Sequence, residues 1–444
     1  MKEYSEEFID ECASDFDIRY ALCGSPSAIY VGYYDPQHRL KVAKRTAWGE
    51  WQYVLLPETV NWDSHKFITM IEDREGYVHL CAGMHCTPLI YYRMQNPGDI
   101  HSFKKSIMTG EKEERVTYPE FLQTDETLYF HYREGKSGNG STYVNRYDAE
   151  NKKWIKQSSL PLFDGLERSN AYFKGPWLGP DGRFHVIWCW RDTPDCTTNH
   201  GLYYAFSFDF KKWHSPSGYM KSVPLTPDDS GFLVDDIKKG EGLINGGYTL
   251  GFRKKKMPSG NLSDEQWEPF IGYHKYDTDG NTNIFLATVK GKEKEQEIEK
   301  PENWKIIRLT NWSWRWNFAG RGSIPFLLDI YKAGQDTGGL NIRFGRKIKR
   351  GLFSLSRMRD FIVSYNDVTG DISEKEYAQV NPEILKPKNR GMLLHLEEDR
   401  NAIMKGSGKD GEVKMILRYE TVFPARDKRK RRRKHLGHLK LLIR

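Results

Sequence analysis

The stretch KFITMIEDREGYVHLCAGMHCTPLIYYR, residues 66–93, decides the architecture. Its apolar and β-branched residues at 66–72 read as a strand, Asp73-Arg74-Glu75-Gly76 as a tight turn, and 77–82 as a second strand. A polar loop through His85 then leads to a third strand at 89–93. The pattern recurs down the chain. Residues 118–122 and 128–133 flank a turn at Thr124-Asp125-Glu126, and a loop through 135–140 leads to 142–147. Residues 171–178 and 183–190 flank Gly179-Pro180-Asp181-Gly182, and a longer loop to Gly201 leads to 202–207. A fourth strand closes these copies near a Trp, Trp154 in one and Trp213 in the other. Weaker copies follow at 242–252, 270–276 and 282–289, with Asp277-Thr278-Asp279-Gly280-Asn281 as the turn, and another opens at 322–329.

Short strands recurring every ~40 to 50 residues are the mark of propeller blades. The expected fold is therefore all-β, a seven-bladed β-propeller, with residues 1–424 as one domain. Segments 28–34 and 40–45 read as half a blade, and a blade shared between the two ends is expected to close the ring and remove exposed sheet edges. The composition agrees: 14% aromatic residues and 39 Gly suit twisted strands joined by tight turns.

The formal charge of +8 invites a nucleic-acid reading, but the charge is local. Residues Arg426 to Arg444 hold ten Lys and Arg against one Asp, which leaves the rest of the chain at −1. Residues 425–444 are expected to be a disordered basic tail, and no nucleic-acid partner is expected. Six cysteines, Cys12, Cys23, Cys81, Cys86, Cys189 and Cys196, lack the spacing of a zinc ribbon. Cys196 and His200 could share a metal with Cys189 or His185, although buried thiols are the commoner outcome. No apolar run reaches the ~18 residues of a membrane span, and the acidic start, Met1 to Asp17, does not read as a signal peptide.

The repeat also locates a site. Strands of a blade alternate in direction, so the loop entering the first strand and the loop between the second and third emerge on one face. His65 precedes a first strand and His85 lies in the following second-to-third loop, so both should point at one mouth. The next blade brings Tyr132, Arg133 and Ser137-Gly138-Asn139-Gly140 there. The one after brings Arg168 and Asn170, then Arg191, Asn199 and His200, and farther round Trp314, Arg315 and Trp316 precede another first strand. His79 and His185 fall inside strands and read as hydrogen-bonded core residues, Asp63 and Asp192 as turn caps or as chemistry, and the turns opposite as solvated.

His, Tyr and Arg without paired carboxylates point to elimination on an acidic sugar. An Arg can neutralise a uronate carboxylate and so acidify the neighbouring C5 proton, which a His or Tyr removes while a second such group protonates the leaving oxygen. Hydrolysis calls instead for two carboxylates ~5 to 10 Å apart, for which these loops offer few candidates.

At these residues the sequence resembles the BNR-repeat polysaccharide lyases, a group that holds ulvan lyases and rhamnose-glucuronate lyases of polysaccharide lyase families 24, 25 and 27. The resemblance rests on Asp63-Ser64-His65, the run from Asp73 to His79, Gly83-Met84-His85, Tyr132-Arg133, Ser137-Gly138-Asn139-Gly140 and Gly179-Pro180-Asp181-Gly182. It extends through Trp190-Arg191-Asp192-Thr193-Pro194, Thr198-Asn199-His200, Tyr273-His274-Lys275-Tyr276-Asp277 and Arg315-Trp316. It departs at Gly83, where such proteins tend to have Asn.

The resemblance implies a lyase acting at glucuronate or iduronate next to rhamnose, with His65, His85, Tyr132 and Arg191 catalytic. Arg133, Asn139, Arg146, Asn199, His200, Tyr204 and Arg315 would contact the substrate, with Tyr204 and Arg146 in reserve for the Tyr and Arg roles. It also implies a periplasmic or secreted, monomeric protein needing no catalytic cofactor, although some relatives carry a structural metal. The rival readings are a sialidase-like propeller hydrolase, a carbohydrate-binding propeller without catalysis and a protein-interaction propeller.

Overall fold

The computed structural model describes residues 5–25, 28–255, 266–290, 304–322, 324–348, 357–376, 392–398, 415–422 and 436–443. Those residues form seven antiparallel sheets of a β-propeller. Six follow the chain in order, each built of consecutive strands from the innermost outwards, and are numbered here as blades 1 to 6. Blade 2 is Ile68–Glu72, Val78–Ala82, Tyr91–Met94 and Phe103–Ser106. Blade 3 is Val116–Gln123, Leu128–Lys136, Asn139–Asp148 and Lys153–Lys156, with Phe163–Asp164 added beside its third strand. Blade 4 starts with Asn170–Leu178, Phe184–Arg191 and Asn199–Ser207. The expected strand, turn, strand, loop, strand order is present in all three, and Trp154 and Trp213 lie buried in the fourth strands.

The chain ends differ from expectation in two ways. Ala28–Tyr34 and Arg39–Thr46 are not half a blade but the middle of a complete one, blade 1, between Ala21–Ser25 and Trp51–Thr59. The shared sheet is blade 7: Met392–Glu398, Met415–Val422 and Leu436–Ile443 are joined at the outer edge by Ser5–Ala13. Leu436–Ile443 lies in the segment expected to be a disordered tail. Its apolar alternation buries Leu439 and Leu441, while Lys440 faces Glu6. A charge run preceding a strand had masked that strand's period. The run from Lys428 to Lys434 lies outside the described residues.

The core sits between sheets as five apolar clusters. The tight turns within the blades are not merely solvated. Asp73 accepts backbone hydrogen bonds from Glu75 and Tyr77 and also reaches the buried His79 ring at 3.1 Å. Asp181 likewise reaches His185 at 2.8 Å. The other ring nitrogens of His79 and His185 meet Tyr91 and Tyr204 hydroxyls at 2.8 and 2.7 Å, so both histidines are core residues, as their strand positions predict. Among the described residues no helix is long and apolar enough to cross a membrane.

Candidate active site

Asp63 is the centre of the site. The segment entering the innermost strand of blade 2 folds back at this residue, whose Oδ1 accepts the His65 amide at 3.0 Å and meets His65 Nδ1 at 2.9 Å. Its Oδ2 meets Nδ1 of His85, from the second-to-third loop of the same blade, at 2.5 Å. The two imidazoles stack with centroids 4.1 Å apart and planes 18° from parallel. The alternation of strand direction thus does bring His65 and His85 together.

Burial works to raise the Asp63 carboxyl, but the hydrogen bonds from His65 and His85 outweigh it and hold the group below the usual carboxylate range. An ionised Asp63 is an acceptor only, so each Nδ1 carries the proton and a neutral ring keeps its lone pair on Nε2. His85 is the more accessible ring, its side chain 31% exposed against 19% for His65. Its Nε2 has no hydrogen-bond partner among the described residues.

Blade 3 supplies the next layer. Tyr118 stands at a register shift between Thr117 and Glu120, with a left-handed backbone of φ 57° that an aromatic residue seldom adopts. Its ring lies 5.8 Å from that of His65 and 6.2 Å from that of Tyr172. Burial pushes the Tyr118 hydroxyl up, and Tyr172 adds to this while Arg133 and Arg191 oppose it. The net shift is upward, so Tyr118 is a proton donor, not a phenolate, at neutral pH.

Arg133 lies over the Tyr118 ring, 5.0 Å from its centroid, and is only 3% exposed. Its Nη2 meets Cys86 Sγ at 3.6 Å, while Nε and Nη1 have no partner among the described residues. A buried guanidinium without a counter-ion is costly, and a carboxylate delivered to it would be held strongly.

Arg191, from blade 4, sits 5.2 Å over Tyr172, but the loop occupies it. Nε donates to Thr193 O at 3.0 Å, Nη2 to Pro194 O and Nη1 to Asn245 Oδ1 at 3.4 Å. Gly138 closes the gap between blades 3 and 4. With φ 80° and Asp192 O 2.7 Å from where a Cβ would sit, only glycine fits, so the Ser-Gly-Asn-Gly stretch is a packed contact.

The other expected site residues scatter. Tyr132 packs fully buried in the core between blades 2 and 3, its hydroxyl 3.5 Å from Glu111 O. Strand alternation sends it to the face opposite Arg133, so the two neighbours cannot serve one cleft. Tyr204 is buried beneath blade 4 against His185. Arg146 pairs with Tyr129 and Ile155, at the end of its strand remote from the 135–140 loop.

Asn199 is buried on Leu243 O and Asn245, and His200 pairs with Asp192 at 3.0 Å. Asn139 is exposed at its hairpin, and Arg315 lies over Tyr276 and donates to Gly280 O at 2.9 Å. Three side chains of this cluster are not singled out by the sequence pattern: Tyr118, Tyr172 and Asp63 in its bridging role. The spacing Asp63-x-His65 is a signal that could have marked Asp63. Nothing in the local pattern distinguishes Tyr118 from a core tyrosine.

A metal does not fit well here. Among the described residues Asp63, His65 and His85 are the one group able to share an ion, with ligand atoms within 4.8 Å. Yet separations of 2.9 and 2.5 Å are those of hydrogen bonds, shorter than the ~3.3 Å between ligands of tetrahedral zinc with bonds of ~2.0 to 2.1 Å. Cys189, Cys196, His185 and His200 do not converge either. Cys189 and Cys196 lie in different core clusters, and His185 is held by Asp181 and Tyr204.

The fold and this cluster define a β-propeller with a histidine-carboxylate pair and a buried arginine at one mouth. Residues 28–312 match the BNR repeat-containing family, and the chain belongs to that family. Over 142 residues it is 29% identical to the short isoform of ulvan lyase from Alteromonas sp. (strain LOR), covering 29% of this chain and 27% of that protein. Against the long isoform from Alteromonas sp. the identity is 30%, covering 29% of this chain and 14% of the relative. The matched part is thus little more than a quarter of the curated relatives at most. Among solved structures it is similar to the polysaccharide lyase Uly1, with a TM-score of 0.61 and 16% identity over 100% of this chain and 99% of that one. It is also similar to a PL25 ulvan lyase bound to -[GlcA(1-4)Rha3S]-, with a TM-score of 0.56 and 14% identity over 95% and 94% of the two chains.

Proposed function

We propose that the chain is a polysaccharide lyase that cleaves by β-elimination beside a uronate, the glucuronate or iduronate being linked to rhamnose. The observation that carries this reading is the pairing of a carboxylate-held His85 with a buried Arg133 that lacks a counter-ion. The names of the related ulvan lyases support it independently. No metal or organic cofactor is invoked.

Arg133 receives the substrate carboxylate, drains its charge and acidifies the C5 proton. His85 takes that proton on Nε2, and Asp63 stabilises the resulting imidazolium from the Nδ1 side. As C4 and C5 form a double bond, the C4–O bond breaks and Tyr118 gives its proton to the leaving oxygen. One fragment ends in an unsaturated uronate, the other in a new reducing end. In this scheme the catalytic Tyr is Tyr118 in place of Tyr132, and Arg133 takes the role expected of Arg191, which positions Tyr172.

The test is ultraviolet absorbance of the conjugated uronate across a panel of uronic-acid polysaccharides, including rhamnose-glucuronate polymers with and without sulfate. Absorbance rising in step with reducing ends supports elimination. Reducing ends without absorbance would mean hydrolysis, and binding without either product a lectin-like propeller.

A further inference from the structure

Cys86 is set apart from the other cysteines. Those five, Cys12, Cys23, Cys81, Cys189 and Cys196, are at most 3% exposed, whereas Cys86 is half-buried at the mouth, next in sequence to His85. Its backbone is held left-handed at φ 54° by Thr117 Oγ1, which accepts the Cys86 amide at 2.9 Å and lies 3.6 Å from the sulfur. The sulfur itself faces Arg133 Nη2 at 3.6 Å. Arg133 is the second and independent observation: a cation, only 3% exposed, with two nitrogens that no acceptor meets among the described residues. A partly accessible thiol against a buried cation that lacks a counter-ion is a setting in which an oxygenated, negatively charged sulfur would be held.

From this we infer that Cys86 is an oxidation site, at which peroxide forms a sulfenate that pairs with Arg133. The thiolate sulfur attacks one oxygen of hydrogen peroxide, the O–O bond breaks and an S–O bond forms. The departing hydroxide takes up the proton the thiol has given up and leaves as water, so sulfur is oxidised by two electrons and peroxide is reduced; the sulfenic acid so formed gives its own proton to solvent and stands as the sulfenate beside Arg133. With every other cysteine buried, no internal thiol is at hand to resolve the sulfenate, which persists until an external thiol reduces it. Its charge then occupies the counter-ion place at Arg133. The consequence for turnover, competition with the substrate carboxylate, rests on the proposed function; the modification itself does not.

The experiment treats the folded full-length chain with hydrogen peroxide and the sulfenate trap dimedone, then maps adducts by peptide mass. The expected result is a single adduct on Cys86, about tenfold or more above any other cysteine, and its absence in Cys86→Ala. Arg133→Lys, which keeps a cation, should keep the adduct, and Arg133→Gln should reduce it severalfold. Adduct spread over the buried cysteines, or Cys86 remaining a thiol, would overturn the proposal.

Activity is read separately with a uronate polymer. Peroxide should inactivate wild type reversibly by thiol, and the turnover of Cys86→Ala, whatever its level, should not respond. A mapped adduct without any lyase activity would leave the oxidation site standing and remove the functional reading.

Discussion

Blade 2 contains two versions of the same pairing of aspartate with histidine, one at each end, and they behave oppositely. At the tight-turn end Asp73 and the Tyr91 hydroxyl take both nitrogens of His79, and Trp154 Nε1 donates to the same hydroxyl at 2.9 Å. The ring is fully buried, and burial lowers its basicity despite Asp73. At the mouth a single carboxylate serves two rings through Nδ1, and His85 keeps Nε2 turned outward. Satisfying both nitrogens makes a structural histidine. Satisfying one and leaving the other accessible makes a reagent.

The widest expected difference follows from that contrast. His85→Ala should lower turnover by about 10³-fold with little change in stability. His79→Ala should instead cost about 2–3 kcal/mol of stability, by stranding Asp73 and Tyr91, while folded molecules keep near-normal turnover. Denaturant melts and conjugated-uronate absorbance on both variants check this; equal losses of activity would erase the distinction.

A second pair sharpens the assignment of the arginine. Arg133→Gln should reduce turnover by about 10²–10³-fold, whereas Arg191→Gln should act mainly through loop order and lose about tenfold or less. Steady-state kinetics on the two decide between them.

A third compares tyrosines. Tyr118→Phe removes the proposed proton donor and should cost about 10²-fold in turnover, while Tyr132→Phe removes only a long hydrogen bond to Glu111 O, worth about 1 kcal/mol of stability. If Tyr132→Phe were the more damaging to catalysis, the site would have to be redrawn on the other face of that strand.

The smallest effect is one of pH. Burial lowers His79, His131 and His274, the last from 6.5 to about 4, so each is neutral when folded and takes up a proton only on unfolding. The contribution of each is present above pH 6.5 and lost as pH falls below it, for His274 down to about pH 4, at up to about 1.4 kcal/mol per pH unit for each group. Asp63, held low, keeps its charge throughout this window and loses its contribution only below the ordinary carboxylate range. Unfolding midpoints between pH 7 and 5 should therefore fall, with a shallower slope in His274→Gln and an unchanged slope in Asp63→Asn.

Much of this was legible before any coordinates. The run 66–93 gives its strands within about two residues of their final limits, because alternation of apolar residues and turn chemistry are local properties. The meeting of His65 and His85 was legible too, since it needs only the up-and-down order of strands. Tyr132 lies in the core for an equally simple reason: it neighbours Arg133, and adjacent residues of a strand face opposite ways. The strand at the C-terminus was hidden by composition, because a basic run ahead of it outweighed the alternation that follows.

Tyr118 is a different case. Its ring stands beside those of His65 and Tyr172, at a register shift and a left-handed backbone in the strand that pairs with Arg133's own. The amino-acid order by itself determined the repeat, the direction of each strand and hence which loops share a face, all consequences of period and chain connectivity. Which nitrogen is held, which guanidinium lacks a counter-ion and which tyrosine lies beside the two imidazoles were decided only when blades 2, 3 and 4 came together. Those properties depend on burial and on distances between side chains far apart in sequence, and no local pattern encodes them.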